Sequence, residues 1–177
     1  MSQEAPAAHF ERVSDVEAES PTLIEGLPGL GMVASIAVDQ ITTQLGLDYH
    51  GNVRSDALPP LAAFNEGRIR DAVRVYAGRG PSVMTLQSDI PIPPNAIQSL
   101  SECVYRDLAD EFDRAIFLVG AQAESEDQIG AVSGVAASDE MESALTDAGI
   151  SLAEESGAVG GVTGGLVVDC YHNDIPA

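Results

Sequence analysis

Residues 22–46 constrain the fold of this chain more than any other stretch of it. Their apolar start at Leu23 and Ile24 predicts a buried strand, and a long apolar segment from residue 32 to Gly46 predicts a helix. A strand, a turn and a helix in this order form half of a βαβ unit, so an α/β fold is expected. The turn between strand and helix is glycine-rich, and its marker residues are Gly26, Pro28, Gly29 and Gly31.

The predicted helix is apolar on more than one side. A helix that is apolar around most of its circumference is covered on most sides in a folded protein. We therefore expect this helix to lie between a sheet and something else, either another layer or another subunit. Its apolar residues are Val33, Ala34, Ile36, Ala37, Val38, Ile41 and Leu45.

The glycine turn also fits the pattern G-x-G-x-x-A, from Gly29 to Ala34. In dinucleotide-binding folds this pattern sets backbone N–H groups and a helix N-terminus against a pyrophosphate. That fingerprint requires an acid at the end of a second strand, whereas Asp48 precedes the next predicted strand. Pro28 also interrupts the turn, and no basic residue is near. We favour the alternative that the glycines allow a tight reversal and close packing of the helix on its strand.

Charge is the most unusual feature of the composition. The 177 residues include 28 acids and 8 basic residues, all of them arginine, and the net charge is −20. Such a surface repels itself in dilute buffer, whereas molar salt shortens the Debye length to about 3 Å. We therefore predict a protein from a salt-accumulating halophile whose fold needs salt. The rival interpretation, an acidic mimic of nucleic acid, requires acids concentrated on one patch. The charge argues against nucleic acid or an anionic membrane as a partner.

Catalytic and metal-binding motifs are missing from the sequence. Cys103 and Cys170 belong to no C-x-x-C pair and are predicted to be buried thiols. His9, His50 and His172 show no metal-ligand spacing. The sequence has neither a G-x-S-x-G nucleophile elbow nor a G-K-[ST] phosphate-binding loop. We therefore predict no enzyme, no metal and no cofactor.

No stretch approaches the roughly 18 apolar residues that indicate a transmembrane helix. The N-terminus lacks the basic start and the apolar run of a signal peptide, so we expect a cytoplasmic protein. Residues 1–6 are expected to be a frayed tail.

The remaining sequence is predicted to form several strands, a helix, two strands, a helix and, after a glycine turn, a last helix. Helices are predicted to begin near Asn95 and at Ser138, the second ending at Gly149. The order predicts a single α/β domain over residues 1–177, a three-layer sandwich with a mixed sheet. Residues 172–177 resemble a turn into a further strand, so the domain is expected to continue beyond Ala177. Predicted strands occupy residues 9–13, 49–54, 61–65, 82–87, 115–120 (the most buried) and 132–136, with a hairpin turn at 64–68. A second glycine turn, before the last helix, contains Gly160, Gly161, Gly164 and Gly165.

Two acids are candidates for the rim of a ligand site. Glu25 and Asp89 lie at the predicted carboxyl ends of strands, where open α/β sheets bind their ligands. Such a carboxylate pair would perform acid–base chemistry or bind a ribose. We favour the alternative that Asp89 accepts hydrogen bonds from nearby backbone N–H groups.

Four motifs, taken in order, resemble the proteasome assembly chaperone family, in its archaeal homo-oligomeric branch. The resemblance covers roughly residues 20–172, and no single motif is specific. It implies a fold similar to nucleoside phosphorylases without their chemistry, homo-oligomers, and assistance to 20S proteasome assembly. The motifs are LIEGLPGLGMVA at residues 23–34, the loop Ser88-Asp-Ile-Pro91 with Pro93 and Pro94, the strand end Phe117-Leu-Val-Gly120, and Gly160-Gly-Val-Thr-Gly-Gly-Leu166.

One departure from the family concerns the C-terminus. Members that engage the proteasome carry a C-terminal tail of a hydrophobic residue, a tyrosine and any residue, whereas this sequence ends Ile175-Pro-Ala177. Such a tail either follows Ala177 or is lacking. The alternative function is a nucleoside-like small-ligand binding protein or an enzyme of phosphorylase-like fold, which rests on the glycine turns and on fold analogy.

A homo-oligomer needs a surface through which its copies meet, and the acid-poor, proline-marked segments are the candidates. 20S proteasome subunits are the second predicted partner. The resemblance does not fix the number of subunits, and we favour three to five. The predicted interface residues are Leu58, Leu61, Phe64, Ile90, Pro91 and Ile92.

Overall fold

The computed structural model describes residues 7–177, which form both strands and helices. In chain order they are β1 (Ala8–Arg12), β2 (Thr22–Gly26), α1 (Val33–Gln44), β3 (Asp48–Ser55), β4 (Ala63–Asn65), β5 (Arg68–Arg70), β6 (Val73–Arg79), β7 (Ser82–Ser88), α2 (Pro94–Leu108), β8 (Arg114–Phe117), β9 (Ser133–Gly134), α3 (Asp139–Asp147), β10 (Ser151–Leu152) and α4 (Gly161–His172). The predicted tail at residues 1–6 lies outside the described residues.

Six of the strands form one mixed sheet in the order β1-β3-β6-β7-β2-β8. Strand β2 runs parallel to its neighbours β7 and β8, whereas β1, β3, β6 and β7 pair antiparallel. The hairpin β4–β5 and the parallel pair β9–β10 are small sheets of their own. The strand predicted at residues 9–13 is therefore confirmed as the edge strand β1.

Alternation along β2 assigns the helices to the two faces of the sheet, because successive side chains point to opposite faces. A Cβ atom on Gly26 would lie 2.6 Å from Val38 Cγ2 of α1, so α1 packs on the face of Ile24 and Gly26. The Glu25 carboxylate accepts a hydrogen bond from Thr163 of α4, so α4 packs on the other face. The predicted three-layer α/β sandwich is confirmed.

The apolar core lies between the sheet and the two helices α2 and α4. Helix α2 turns its buried residues toward β1, β3 and α4, as its predicted apolar stripe requires. A Cβ atom on Gly165 would lie 2.8 Å from Ser101 Oγ, which shows how closely α4 approaches α2. Buried core residues from sheet and helices include Leu23, Val73, Val75, Met84, Leu86, Leu100, Val104, Leu108, Leu166 and Cys170.

Within the single chain, helix α1 is covered on one side, against β2 and β7. The expectation that another subunit covers its other side stays a prediction. Ala34 and Val38 are its buried residues, and Ile36 on the outer side is 61% exposed. Its inner side is partly polar, since Thr42 Oγ1 lies 2.9 Å from Thr85 Oγ1 of β7. The helix ends as predicted, because Gly46 has a φ of +60° and the N–H of Leu47 donates to the Thr42 carbonyl.

Three predictions about the second half of the chain are wrong in detail. Strand β8 is an edge strand in which Ile116 is exposed, so its apolar sequence does not mark the most buried position. The strand expected at residues 132–136 shrinks to the two residues of β9. Gly164 and Gly165 belong to α4 and not to the turn before it. Their missing side chains allow α4 to pack closely against Val159 and α2.

The last described residues meet the edge of the sheet. The carbonyl of Pro176 accepts a hydrogen bond from the Ala115 N–H of β8 at 2.9 Å, and the carbonyl of Ala177 accepts one from the Ala137 N–H at 2.9 Å. Residues 176 and 177 therefore lie between β8 and the segment that precedes α3. Within residues 7–177, no helix is both long enough and apolar enough to cross a membrane.

Candidate functional site

The strand directions bring most of the candidate residues to one end of the sheet. Because β2 and β7 are parallel, their carboxyl ends at Gly26 and Ser88 share an edge. Strand β6 begins and β3 ends at this same edge, since each is antiparallel to its neighbour. We call this edge the carboxyl rim; it comprises residues 26–32, 56–72 and 89–93. The first glycine turn, the proline loop and the predicted interface residues all lie on it.

Glu25 sits beneath the carboxyl rim and is fully buried. Its Oε1 accepts a hydrogen bond from the backbone N–H of Leu27 at 2.8 Å, and the Thr163 hydroxyl donates to its Oε2 at 3.3 Å. Burial raises the pKa of Glu25 to about 7, while these two hydrogen bonds act in the opposite direction. Glu25 thus joins the first glycine turn to the first turn of α4 and does not face a ligand.

Asp89 lies exposed on the rim and is paired with Arg74 of β6. Arg74 Nη2 donates to Asp89 Oδ1 at 2.8 Å, and Nη1 donates to Oδ2, which makes a bidentate pair. The expectation that Asp89 caps local backbone N–H groups is wrong. Ser88 does so instead, since its Oγ accepts from the Ile90 N–H at 3.2 Å. Glu25 and Asp89 each have separate partners, so the predicted carboxylate pair does not form.

The first glycine turn owes its shape to Gly26 and Gly31. Gly26 lets α1 approach β2, and Gly31 adopts a φ of +67°, which favours glycine. Gly29 has extended backbone and nothing near its Cβ position, so it is not constrained as expected. A Cβ atom on Gly120 would overlap the Leu30 carbonyl, so the chain after β8 packs directly on the turn. These contacts favour the structural interpretation of the turn over a pyrophosphate site.

The predicted interface residues divide into two groups at the rim. Leu58 and Ile92 pack partly against the core, whereas Ile90 is half-buried and Pro91 is exposed. Leu61 and Phe64 are exposed, Phe64 by 79%. The sequence analysis missed Ile69, which is 72% exposed and lies directly opposite Phe64 in the β4–β5 hairpin. Its alternation with Arg68 and Arg70 was the signal that would have found it.

Charge is distributed unequally between the two ends of the sheet. Residues 54–74, from the end of β3 to the start of β6, contain four arginines and three acids, in a chain whose net charge is −20. The rim residues 56–72 within this stretch hold two of these arginines and all three acids. The opposite end, where β2 begins, holds a cavity of about 450 Å³ with five carboxylates and one arginine in its lining. We call it the acidic cavity; its acids are Asp15, Glu17, Asp110, Glu111 and Asp113.

The two cysteines and His50 are all buried. Burial raises the pKa of the Cys103 thiol to about 12 and that of the Cys170 thiol to about 11, so neither forms a thiolate readily near neutral pH. His50 is buried, and its Nε2 lies 2.9 Å from Glu111 Oε2. In residues 7–177 no three His, Cys, Asp or Glu side chains are grouped to hold a metal ion.

The fold and the rim together define an α/β protein that exposes apolar side chains at the carboxyl end of its sheet, encloses Glu25 and pairs Asp89 with Arg74. The PAC2 family matches residues 23–177, and the chain belongs to this family. A related, uncharacterized protein of Methanocaldococcus jannaschii is 30% identical over 168 residues, which cover 95% of this chain and 68% of that protein.

Solved structures share the fold. PbaA of Pyrococcus furiosus, an archaeal homolog of proteasome-assembly chaperone, has a TM-score of 0.79 at 24% identity, over 96% of this chain and 73% of that one. PbaB of the same organism, an archaeal proteasome activator, has a TM-score of 0.77 at 14% identity, over 96% of this chain and 77% of that one. The PAC2 match confirms the family resemblance seen in the motifs, and these structures confirm its fold.

Proposed function

We propose that this chain is a proteasome assembly chaperone-like protein of the cytoplasm, which acts as a homo-oligomer and without catalysis. The observation that carries the proposal is the exposure of large apolar side chains on the carboxyl rim, Phe64 by 79% and Ile69 by 72%. Exposed apolar groups of this size on a strongly charged surface mark places where another protein binds.

The relatives point to the same class of function. PbaA and PbaB, which share this fold, are a homolog of proteasome-assembly chaperone and a proteasome activator. Membership of the PAC2 family extends the likeness over most of the chain. 20S proteasome subunits are accordingly the partners we propose besides a second copy of the chain.

The absence of catalysis is supported by the rim itself. Glu25 is enclosed beneath the first glycine turn and Asp89 is paired with Arg74, so neither carboxylate is free for acid–base chemistry. This arrangement also weighs against the nucleoside-binding alternative, which needed both groups at an open rim.

Light scattering on a sizing column tests the oligomer. In about 2 M KCl, where surface charges are screened, the wild type should have a mass several times that of the 18.4 kDa chain. A monomer would contradict the proposal.

A reconstitution with purified 20S subunits tests the chaperone activity. The wild type should accelerate assembly of the 20S particle, and Phe64→Ser should weaken the effect because it removes an apolar contact. Val135→Ser is the matched control, since Val135 is equally exposed, by 79%, but lies after β9. Equal assembly with and without the wild type would reject the function, and equal loss in both variants would reject the rim as its site.

A further inference from the structure

We propose that the outer side of helix α1 packs against the same surface of a second copy. The inference rests on the proposed homo-oligomer and states which surface joins two subunits and with what symmetry. We call this surface the outer α1 surface; it comprises the exposed side chains of residues 30–44. The contact leaves Phe64 and Ile69 of the β4–β5 hairpin exposed to 20S subunits, so the two contacts can be tested separately.

Helix α1 exposes one side along its whole length. Ala34 and Val38 face the sheet, where α1 packs chiefly on β2 and β7. Ile36 lies on the opposite side of the helix, because two residues correspond to about 200° of rotation. The exposed apolar side chains of the outer α1 surface are Leu30, Met32, Val33 and Ile36, and the exposed uncharged side chains Gln40, Thr43 and Gln44 follow them.

The apolar surface continues onto the edge of the sheet. A Cβ atom on Gly120 would lie 3.2 Å from Val33 Cγ2, so the exposed Val119 comes beside the start of α1. Ile116 of β8 pairs with Ile24, whose side chain points to the side of α1, so the exposed Ile116 faces that side as well. Apolar groups from the helix, the turn before it and the edge strand therefore share one side of the molecule, as at a site of protein contact.

Charge restricts what can cover this surface. Residues 26–47 make up 22 of the 177 residues but contain one of the 28 acids, Asp39, and none of the 8 arginines. Two copies that each carry a net charge of −20 repel where their acids meet, and they repel least where two uncharged surfaces meet. A basic partner would be attracted to the acidic surface elsewhere and gives no reason for an uncharged one. The charge distribution therefore selects a second copy as the occupant.

The use of one surface by both copies implies a twofold contact. Residues of one copy then meet the equivalent residues of the other, which is an isologous interface. Two α1 helices of 12 residues can pack along about 18 Å, and the residues before α1 and after β8 widen the contact. An isologous contact joins copies in pairs, so the oligomer contains an even number of subunits. Of the predicted range of three to five, four satisfies this condition.

A charge placed on the outer α1 surface tests the contact. Ile36→Glu and Ile36→Arg should each have at most half the wild-type mass by light scattering in about 2 M KCl, because a charge in an apolar contact loses its water. General repulsion between acidic chains would be reduced by the arginine, so a loss in both variants assigns the effect to this surface. Val168→Glu, at an exposed position of α4, is the matched control and should keep the wild-type mass.

Circular dichroism should show that these three variants are folded, since both positions are exposed in the single chain. If a charge at position 36 unfolds the chain, Gln40→Arg places a charge on the same surface at an exposed polar position and should lower the mass in the same way.

Capture of one chain by another tests the symmetry. A tagged Ile36→Glu chain that is co-expressed with untagged wild type should retain less wild type than a tagged Val168→Glu chain retains. Equal retention by an Ile36→Glu chain that loses mass alone would mean that α1 meets a different surface of the second copy. That result, or an odd number of subunits in the wild type, would overturn the twofold contact.

The remaining outcomes separate this inference from the proposed function. If the wild type is oligomeric and both variants at position 36 keep its mass, the inference is overturned and the proposed function stands. A lower mass in Phe64→Ser beside an unchanged mass in Ile36→Glu would place the contact on the hairpin and overturn the inference too. A monomeric wild type would overturn the proposed oligomer, and the inference with it.

Discussion

The two faces of the sheet are built differently. On the face of α2 and α4 the contacts are apolar and fully buried, as at Leu86 and Leu100. On the face of α1 the sheet offers Thr85 and Gln87, which form hydrogen bonds with Thr42. The first face therefore holds most of the apolar burial that stabilises the fold. The second face is covered by α1, whose outer apolar side chains are exposed.

This difference means that the residues that stabilise the fold are not the residues that are exposed to a partner. Residues that bury apolar surface inside the chain cannot also serve a partner, whereas Ile36 on α1 and Phe64 on the hairpin are exposed and available. Substitutions on the first face should therefore change stability, and substitutions on exposed apolar residues should change association. One comparison tests the stability side of this division, and two further comparisons test a single contact on each face.

Leu100→Ala should have the largest effect. Leu100 is completely buried between α2 and the sheet, so truncation removes contacts and leaves a cavity. We expect a loss of about 2–5 kcal/mol in the free energy of unfolding, measured by urea denaturation. Ile36→Ala on the exposed side of α1 is the matched control and should cost less than about 0.5 kcal/mol. Similar losses in both variants would show that the two faces are equally important for folding.

Glu25→Gln should remove a dependence of stability on pH. The pKa of Glu25 is raised from 4.5 to about 7, so between these values the folded chain keeps a proton that the unfolded chain releases. Through this group the wild type loses stability as the pH rises from about 4.5 to 7, by at most about 3 kcal/mol.

Urea denaturation at pH 5 and pH 8, at constant KCl, measures this effect. The difference between the two pH values should be smaller in Glu25→Gln than in the wild type, with the variant more stable at pH 8. Glu140→Gln, an exposed acid on α3, is the control and should follow the wild type. If all three proteins show the same dependence of stability on pH, burial does not raise the pKa of Glu25.

Gly26→Ala should cost about 1–3 kcal/mol by forcing α1 away from β2, because the new Cβ atom would overlap the Val38 side chain. Gly29→Ala, three residues later in the same turn, meets open space and should change the melting temperature little. Thermal denaturation of the two variants checks this. A larger effect at Gly29 would mean that the turn, and not the helix–strand contact, requires glycine.

Local sequence patterns predicted which strands and helices form better than they predicted how deeply each element is buried. The strand–turn–helix at residues 22–46 was predicted because glycine positions and apolar runs are local signals, and Gly46 ends α1 as expected. The burial of β8 was predicted wrongly, because an apolar strand at a sheet edge has the same sequence as one in its centre. A halophilic origin and a requirement for salt stay predictions.

The candidate site was predicted less well than the fold. The sequence indicated that Glu25 and Asp89 lie at strand ends. It did not indicate their partners, because Thr163 lies far along the chain in α4 and Arg74 lies in the neighbouring strand β6. No local sequence pattern predicts such pairs. The exposure of Phe64 followed from its acid-poor segment, whereas the exposure of Ile69 depends on its pairing across the hairpin.

The hairpin has a consequence for how such proteins diverge. Its register is set by its own two-residue turn, and its strands hydrogen-bond as a separate sheet. Substitutions at its tip therefore leave the pairing of β3 with β6 intact. Selection can therefore alter the exposed side chains of the hairpin without changing the six-stranded sheet. Related chains can share the same six-stranded sheet and differ in the side chains that the hairpin exposes.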